Sequence, residues 1–469
     1  MRENTLILKS GTGLKSTSDI SDQKTNFAKS EKNSLMKKHL LSALLIISCL
    51  KIFSQVEPLW IQDTSFIKEL YIMKNKFQSL SFTGYLQVQY QNAGSEGITC
   101  FNGGDFPENS DSRFMIRRGR FRLDFERKSP EGFSKYFFAL QYDGTEKGVN
   151  IRDMFGRIYE NKWNYFVVTA GVFNRPFGYE LNYSSSLRES PERGRMSQIL
   201  MKIERDLGAM ISFEPQDKGK KVYPLKIDAG IFNGQGLTGP CEFDSYKDFI
   251  ARASIRRTNI ARNLYLSGGF SYLNGGFRNG SDIFYRISGN SDGHYTFKPD
   301  RSPFNAGKKS PRIYHGTDLQ LSMDNSIGKT ELRAELIAGT QSATYKTSTT
   351  PCMPPVNNLL QPDSIFIRNF TGGYFYLLQT FAQKHQVFLK YDWYDPNSKV
   401  KGIDISTTAN FGPADVRYDT FGAGYIYYMN DNLKLLLYYD HPVNEKTSLT
   451  GYGKDLKDDT FTVRLQFRF

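Results

Sequence analysis

The stretch "RRGRFRLDFE" (117–126) places Arg118, Arg120 and Arg122 at every second position. In an extended strand, alternate side chains share one face at a spacing of about 6–7 Å. Three guanidiniums on one face repel each other unless water, counter-ions or carboxylates stabilise them. Beside a water-filled path, such a row gives anions a series of weak sites and lowers the barrier to their passage. The same alternation puts Lys135, Arg252, Arg256, Lys390, Arg464 and Arg468 on the polar faces of other segments. Asp124, Asp143, Asp318, Glu335, Asp392 and Asp440 share those faces, so a generic polar surface of paired charges is the competing reading. A second basic cluster lies in residues 175–206, within "LRESPERGRMSQILMKIERD". There Arg188, Arg193, Arg195, Lys202 and Arg205 alternate with Glu189, Glu192, Glu204 and Asp206.

Catalytic chemistry has little to work with. The chain has five His: His39, His294, His315, His385 and His441. No nucleophile elbow and no paired zinc-binding His motif is present. "GTGLKS" (11–16) has only half of a phosphate-binding loop. The sequence therefore reads as a non-enzyme, with no metal or cofactor set.

The elements that position these residues are strands. "FTGYLQVQY" (82–90), "KYFFALQYD" (135–143) and "HQVFLKYDWY" (385–394) alternate apolar and polar residues with period two. About sixteen such segments follow one another, from 81–91 to 459–469. Their connections alternate too. Those after even segments are short, as in "KSPEG", "NKW" and "ND". Those after odd segments are long: 92–113, 175–206, 234–247, 274–311, 342–371, 396–416 and 442–458, with 144–149 the short exception.

A soluble sandwich has no reason to sort its loops by parity. A transmembrane antiparallel β-barrel does, because short turns face the periplasm and long loops face outward. The expected fold is all-β: a barrel over 81–469, with its apolar face on outer-membrane lipid and its polar face on a water-filled lumen. Sixteen strands are enough for an aqueous channel. The loop 175–206 is long enough to fold into that lumen and constrict it; a solvated outer loop is the alternative.

The composition fits export. Hydrophobic residues make up 39% of the chain, yet aromatics reach 14%. "MKKHLLSALLIISCLKIF" (36–53) has a basic start and a short apolar core, the layout of a signal peptide over 36–54. Residues 1–35 then read as an over-extended start, and 55–80 as a periplasmic segment too short to be a plug domain. A membrane anchor, or lipidation at Cys49, are the alternatives for the apolar stretch. Removing residues 1–54 takes the net charge from +13 to +8. A basic exported chain points to anionic solutes or lipid and away from nucleic acid. Cys100, Cys241 and Cys352 remain, an odd number without metal-ligand spacing.

Four stretches carry a resemblance: "FMIRRGRFRLDFERKSPEGFSKYFFALQYDGT", "VNIRDMFGRIYE", "VTAGVFNRPFGYE" and "ERDLGAMISF". They resemble the phosphate-selective porin O and P family over about residues 110–215. The matching positions are Arg117–Arg122, Asp153, Gly171–Glu180 and Arg205–Gly208. The resemblance implies a sixteen-stranded outer-membrane porin, usually trimeric, that passes small anions such as phosphate. The family's lysine cluster has no counterpart here. The terminal Phe469 is similar to the C-terminal signal read by the barrel assembly machinery. A barrel whose long loops serve as adhesin or receptor is the alternative function.

Overall fold

A computed structural model describes residues 79–128, 135–237, 242–289 and 291–469. The expected start extension, the signal peptide and all but the end of the periplasmic segment lie outside these residues, as do Cys49 and Cys241. Cys100 and Cys352 are free thiols.

Eighteen strands occur among the described residues. The first nine are β1 (Leu80–Ala93), β2 (Ser112–Lys128), β3 (Lys135–Thr145), β4 (Gly148–Tyr159), β5 (Phe166–Asn174), β6 (Arg205–Phe213), β7 (Leu225–Phe232), β8 (Asp248–Ala261) and β9 (Leu264–Arg278). The others are β10 (Ile283–Gly289), β11 (Tyr295–Arg301), β12 (Lys309–Asn325), β13 (Gly328–Ala343), β14 (Ile365–Phe381), β15 (His385–Asp395), β16 (Tyr418–Asn430), β17 (Leu433–Asn444) and β18 (Thr460–Arg468). Sixteen of them close a ring of antiparallel neighbours. β9 pairs directly with β12, from Arg278↔Lys309 to Leu264↔Met323. β10 and β11 form a hairpin within the long loop expected at 274–311. That hairpin is an addition to the sequence reading; the sixteen wall strands are those expected.

The seam is β1 against β18, from Tyr85↔Arg468 to Ala93↔Thr460. Phe469 extends it by two backbone hydrogen bonds with Gly84, at 3.1 and 3.0 Å. A Cβ on Gly84 would lie 2.3 Å from the Phe469 ring, so the glycine makes room for the last side chain.

Alternation sorts the two wall faces. Leu332 and Leu336 of β13, Phe375 and Leu377 of β14, and Val387 and Leu389 of β15 are exposed on the outside. Arg333, Glu335, Tyr374, Tyr376, Lys390 and Asp392, from the alternate positions, are buried inside. An outer wall of this kind suits hydrocarbon, because the closed sheet leaves no unpaired edge. No helix among the described residues is long and apolar enough to cross a membrane.

The inner wall is less uniformly polar than alternation led one to expect. Phe232, Ile250, Leu273, Tyr314, Ile337, Phe370 and Tyr394 are inward and buried. They pack against Phe177, Leu181, Met196, Ile199, Leu200 and Met201 of the loop between β5 and β6. That loop lies inside the barrel, and its one helical turn, α1 (Arg195–Leu200), is almost wholly buried. This part of the wall meets protein instead of water, so it favours apolar residues.

Candidate functional site: the lumen and its inserted loop

The inserted loop begins where Gly171 and Gly178 allow tight approaches. Gly178 has φ +64, and a Cβ there would lie 2.0 Å from the Glu335 carboxylate of β13. Glu335 accepts the backbone N–H groups of Tyr179 and Glu180 at 3.1 and 2.9 Å, and the Tyr374 hydroxyl at 2.9 Å. Glu180 in turn accepts the Gly194 N–H at 2.9 Å and the Ser197 hydroxyl at 2.6 Å, tying the loop to itself. The "G-x-F-x-x-P-F-G-x-E" stretch is thus the bend that turns the chain into the lumen.

Three loop carboxylates then meet wall arginines. Glu192 receives Arg118 of β2 at 2.5 Å, Arg117 at 2.8 Å and Arg464 of β18 at 3.3 Å. Burial opposes charge on Glu192, but the three guanidiniums outweigh it and hold the carboxyl well below the usual range. Glu189 accepts both arms of Arg333, at 2.8 and 3.0 Å. Glu204 faces Arg152 of β4 at 2.8 Å, with Arg193 and Arg205 at 3.4 and 3.6 Å, and is likewise held low against its burial.

Arg117 and Arg152 escape a period-two reading. β1 pairs Gln87 with Arg118 and Val88 with Ile116, so Arg117 is the extra residue of a bulge. β3 pairs Gln141 with Asp153 and Tyr142 with Ile151, so Arg152 is the extra residue of another. Each bulge adds one more inward arginine at the level of a loop carboxylate. The only sequence signal is a charged doublet, Arg117-Arg118 and Arg152-Asp153, where alternation calls for one apolar partner.

The expected arginine row does lie inside, but it is largely engaged. Arg120 donates to Asp143 at 3.0 Å and to the Ser185 hydroxyl at 2.7 Å. Arg122 bonds Asp124 at 2.8 Å and Asp153 at 3.2 Å, and Arg205 reaches the other oxygen of Asp153 at 2.7 Å. The row is therefore no bare ladder of positive charge.

The remaining expected residues scatter. Lys390 pairs with Asp392 at 2.7 Å, and Arg252 with Asp318 at 2.6 Å. Lys135 pairs with Glu126 at 2.9 Å, and Arg256 donates to the carbonyls of Pro215 and Tyr223; both stand at the short-turn rim. Arg193 gathers the carbonyls of Ser197, Met201 and Lys202, and Arg195 lies over the Tyr418 ring. Lys202 is exposed. Arg188 and Arg468 form no ion pair among the described residues.

Between the inserted loop and the short-turn rim lies a cavity of about 580 Å³. Eight bases line it, including Arg120, Arg152, Arg188 and Arg468, against three acids, Glu126, Asp153 and Glu204. Asp143, Asp124, Glu214 and Asp228, behind the lining, pair with Arg120, Arg122, Arg157 and Lys226. The positive charge left to attract an anion therefore rests on Arg188 and Arg468.

No family model matches the chain, and no curated protein matches it in sequence. Solved structures do match in fold. The outer membrane channel DcaP of Acinetobacter baumannii superposes with a TM-score of 0.50 at 12% identity, covering 83% of this chain and 97% of that one. OprB of Pseudomonas putida superposes with a TM-score of 0.50 at 9% identity, covering 84% and 95%. The chain is thus a closed sixteen-strand antiparallel β-barrel of the fold seen in DcaP and OprB.

Proposed function

We propose that this barrel is an outer-membrane porin: a passive channel for small hydrophilic solutes that favours anions, phosphate among them. The observation that carries this reading is the basic cavity inside a sixteen-strand wall. Two of its bases, Arg188 and Arg468, have no carboxylate partner among the described residues. The inserted loop is the constriction, since its side chains fill the lumen between facing strands. The short-turn rim faces the periplasm, the exposed apolar wall meets lipid, and Phe469 at the seam is the handle for the assembly machinery. A homotrimer fits a porin of this fold.

The bases that carry the preference are the unpaired ones. A permeating anion reaching Arg118 competes with Glu192 at 2.5 Å, whereas at Arg188 and Arg468 it meets no rival carboxylate. In planar bilayers the protein should give discrete steps, and its reversal potential in a KCl gradient should indicate anion preference. Arg188→Gln with Arg468→Gln should reduce that preference more than Arg118→Gln does. A silent protein, or a cation-preferring one, would overturn the reading.

A second reading has one observation behind it. At the long-loop end Leu359 and Leu360 are 77% and 83% exposed, and Leu360 holds φ +60. Two leucines displayed on a strained tip are what a receptor or adhesin loop would offer to a partner. A silent protein in bilayers would favour it.

A further inference from the structure

The cavity is not only basic. Phe137 of β3, Phe155 of β4 and Phe173 of β5 form a run of rings along the inner wall, with centroids 6.0 and 5.9 Å apart. The run continues to Phe232 of β7 at 5.4 Å. The first three line the cavity together with Leu181 and Met210. Phe137 and Phe155 are only partly buried, so their rings face the open space. A path meant for hydrated inorganic ions gains nothing from this surface, because water against it is unfavourable.

A charged group waits on the same cavity. Arg188 is 4% exposed, and its Nε and Nη1 have no hydrogen-bond partner. Its Nη2 donates only to the Tyr183 carbonyl, at 3.2 Å. A buried guanidinium with two unused donors is costly unless an anion completes it. Nε and Nη1 lie on opposite edges of the guanidinium and are covered. Once the side chain turns toward the cavity, a carboxylate takes one of them together with the second Nη2 hydrogen, the fork that matches it in geometry and charge. Thr169 Oγ1 and Asn174 Oδ1, on the same lining, are also buried without partners.

We infer that this cavity binds ring-bearing organic carboxylates, with the carboxylate on Arg188 and the ring against the Phe137–Phe155–Phe173 wall. The volume, about 580 Å³, suits a small organic molecule and greatly exceeds the needs of a lone oxyanion. The inference rests on the channel reading for its role, since binding here would favour such solutes in transit. The site itself stands on the cavity alone.

The test is calorimetric titration of the full-length protein in detergent with benzoate, acetate, inorganic phosphate and benzyl alcohol. Benzoate should bind at least tenfold more tightly than each of the other three. Arg188→Gln should weaken benzoate about tenfold or more. Phe155→Leu, which keeps apolar volume and removes the ring, should weaken it about three- to tenfold while leaving acetate unchanged. Heat-modifiable gel mobility verifies that each variant is folded. Benzoate no tighter than acetate would overturn the site. So would benzoate heat that survives Arg188→Gln, since that signal belongs to the micelle. The bilayer reversal potential is read separately. Cation preference alongside tight benzoate binding would sink the anion channel and leave the site standing. Anion preference with no benzoate discrimination would do the reverse.

Discussion

Glu192 decides how much of the arginine row an ion in the lumen can feel. With it in place, Arg117, Arg118 and Arg464 surround one buried negative charge. Glu192→Gln would leave three inward guanidiniums short of their counter-charge. Breaking a buried pair of this kind costs about 3–5 kcal/mol, so the variant should unfold at lower denaturant or lower temperature. Its reversal potential should move further toward anions, which a merely structural residue would not cause. The pH dependence follows from the direction of the shift. A carboxyl held below its ordinary value stabilises the folded loop fully above that ordinary value, and the contribution is lost only as pH falls through the depressed one. The loop should therefore stay docked at pH 5, with unchanged protease resistance, and loosen only in stronger acid. The alternation of Arg118, Arg120 and Arg122 was legible in the sequence, because the pleat fixes it. The loop's side of the pairing was not: Glu192, which meets Arg118, and Glu189 and Glu204, which meet Arg333 and Arg152, read equally well as solvated loop charges until the loop's destination is known.

At the level of elements, the strands were readable and the loop's path was not. Period two survives in nearly every wall strand because one face meets an apolar medium and the other does not. β10 and β11 were missed because each is seven residues long and neither separates its faces across a wall. The apolar inner patch was missed for a related reason. Phe232, Tyr314, Phe370 and Tyr394 satisfy the loop's own apolar side, which no strand pattern announces. The loop's entry does leave a trace in the sequence, at Gly178. Alanine there would need a left-handed backbone and would run into Glu335. Gly178→Ala should undock the loop by at least about 1–2 kcal/mol, which should be seen as larger and noisier single-channel conductance with the barrel still folded.

For the whole molecule, closure depends on which strands are neighbours across the ring. β9 and β12 pair along their length, so the β10–β11 hairpin between them is an appendage. Its packing partners are the start of β14 and the neighbouring loops: β10 runs parallel to β14 from Phe284↔Ile365 to Arg286↔Ile367, and Phe297 and Tyr285 join Phe366, Val400, Ile405 and Phe411 in a cluster at the long-loop end. Replacing residues 280–307 by a short glycine-serine turn should leave the barrel closed, with normal heat-modifiable mobility, while the neighbouring loops become sensitive to protease. The seam is the opposite case. Phe469 shares two hydrogen bonds with Gly84 and covers it, so its loss should be felt in assembly before it is felt in selectivity.

The two bulges also bear on which deletions a lineage could tolerate. In most strands of a closed barrel, loss of one residue inverts everything beyond it and sends charges into lipid. Deleting Ala334 from the unbroken β13 should have that effect and abolish insertion. Arg117 is different: Ile116 and Arg118 already oppose consecutive residues of β1. Without Arg117 the strand becomes regular, and every other side chain keeps its face. The same holds for Arg152 between Ile151 and Asp153. Each bulged arginine is thus a charge that can be gained or lost in one step while the wall stays in phase. A membrane-insertion assay of the three single deletions should separate Arg117 and Arg152 from Ala334.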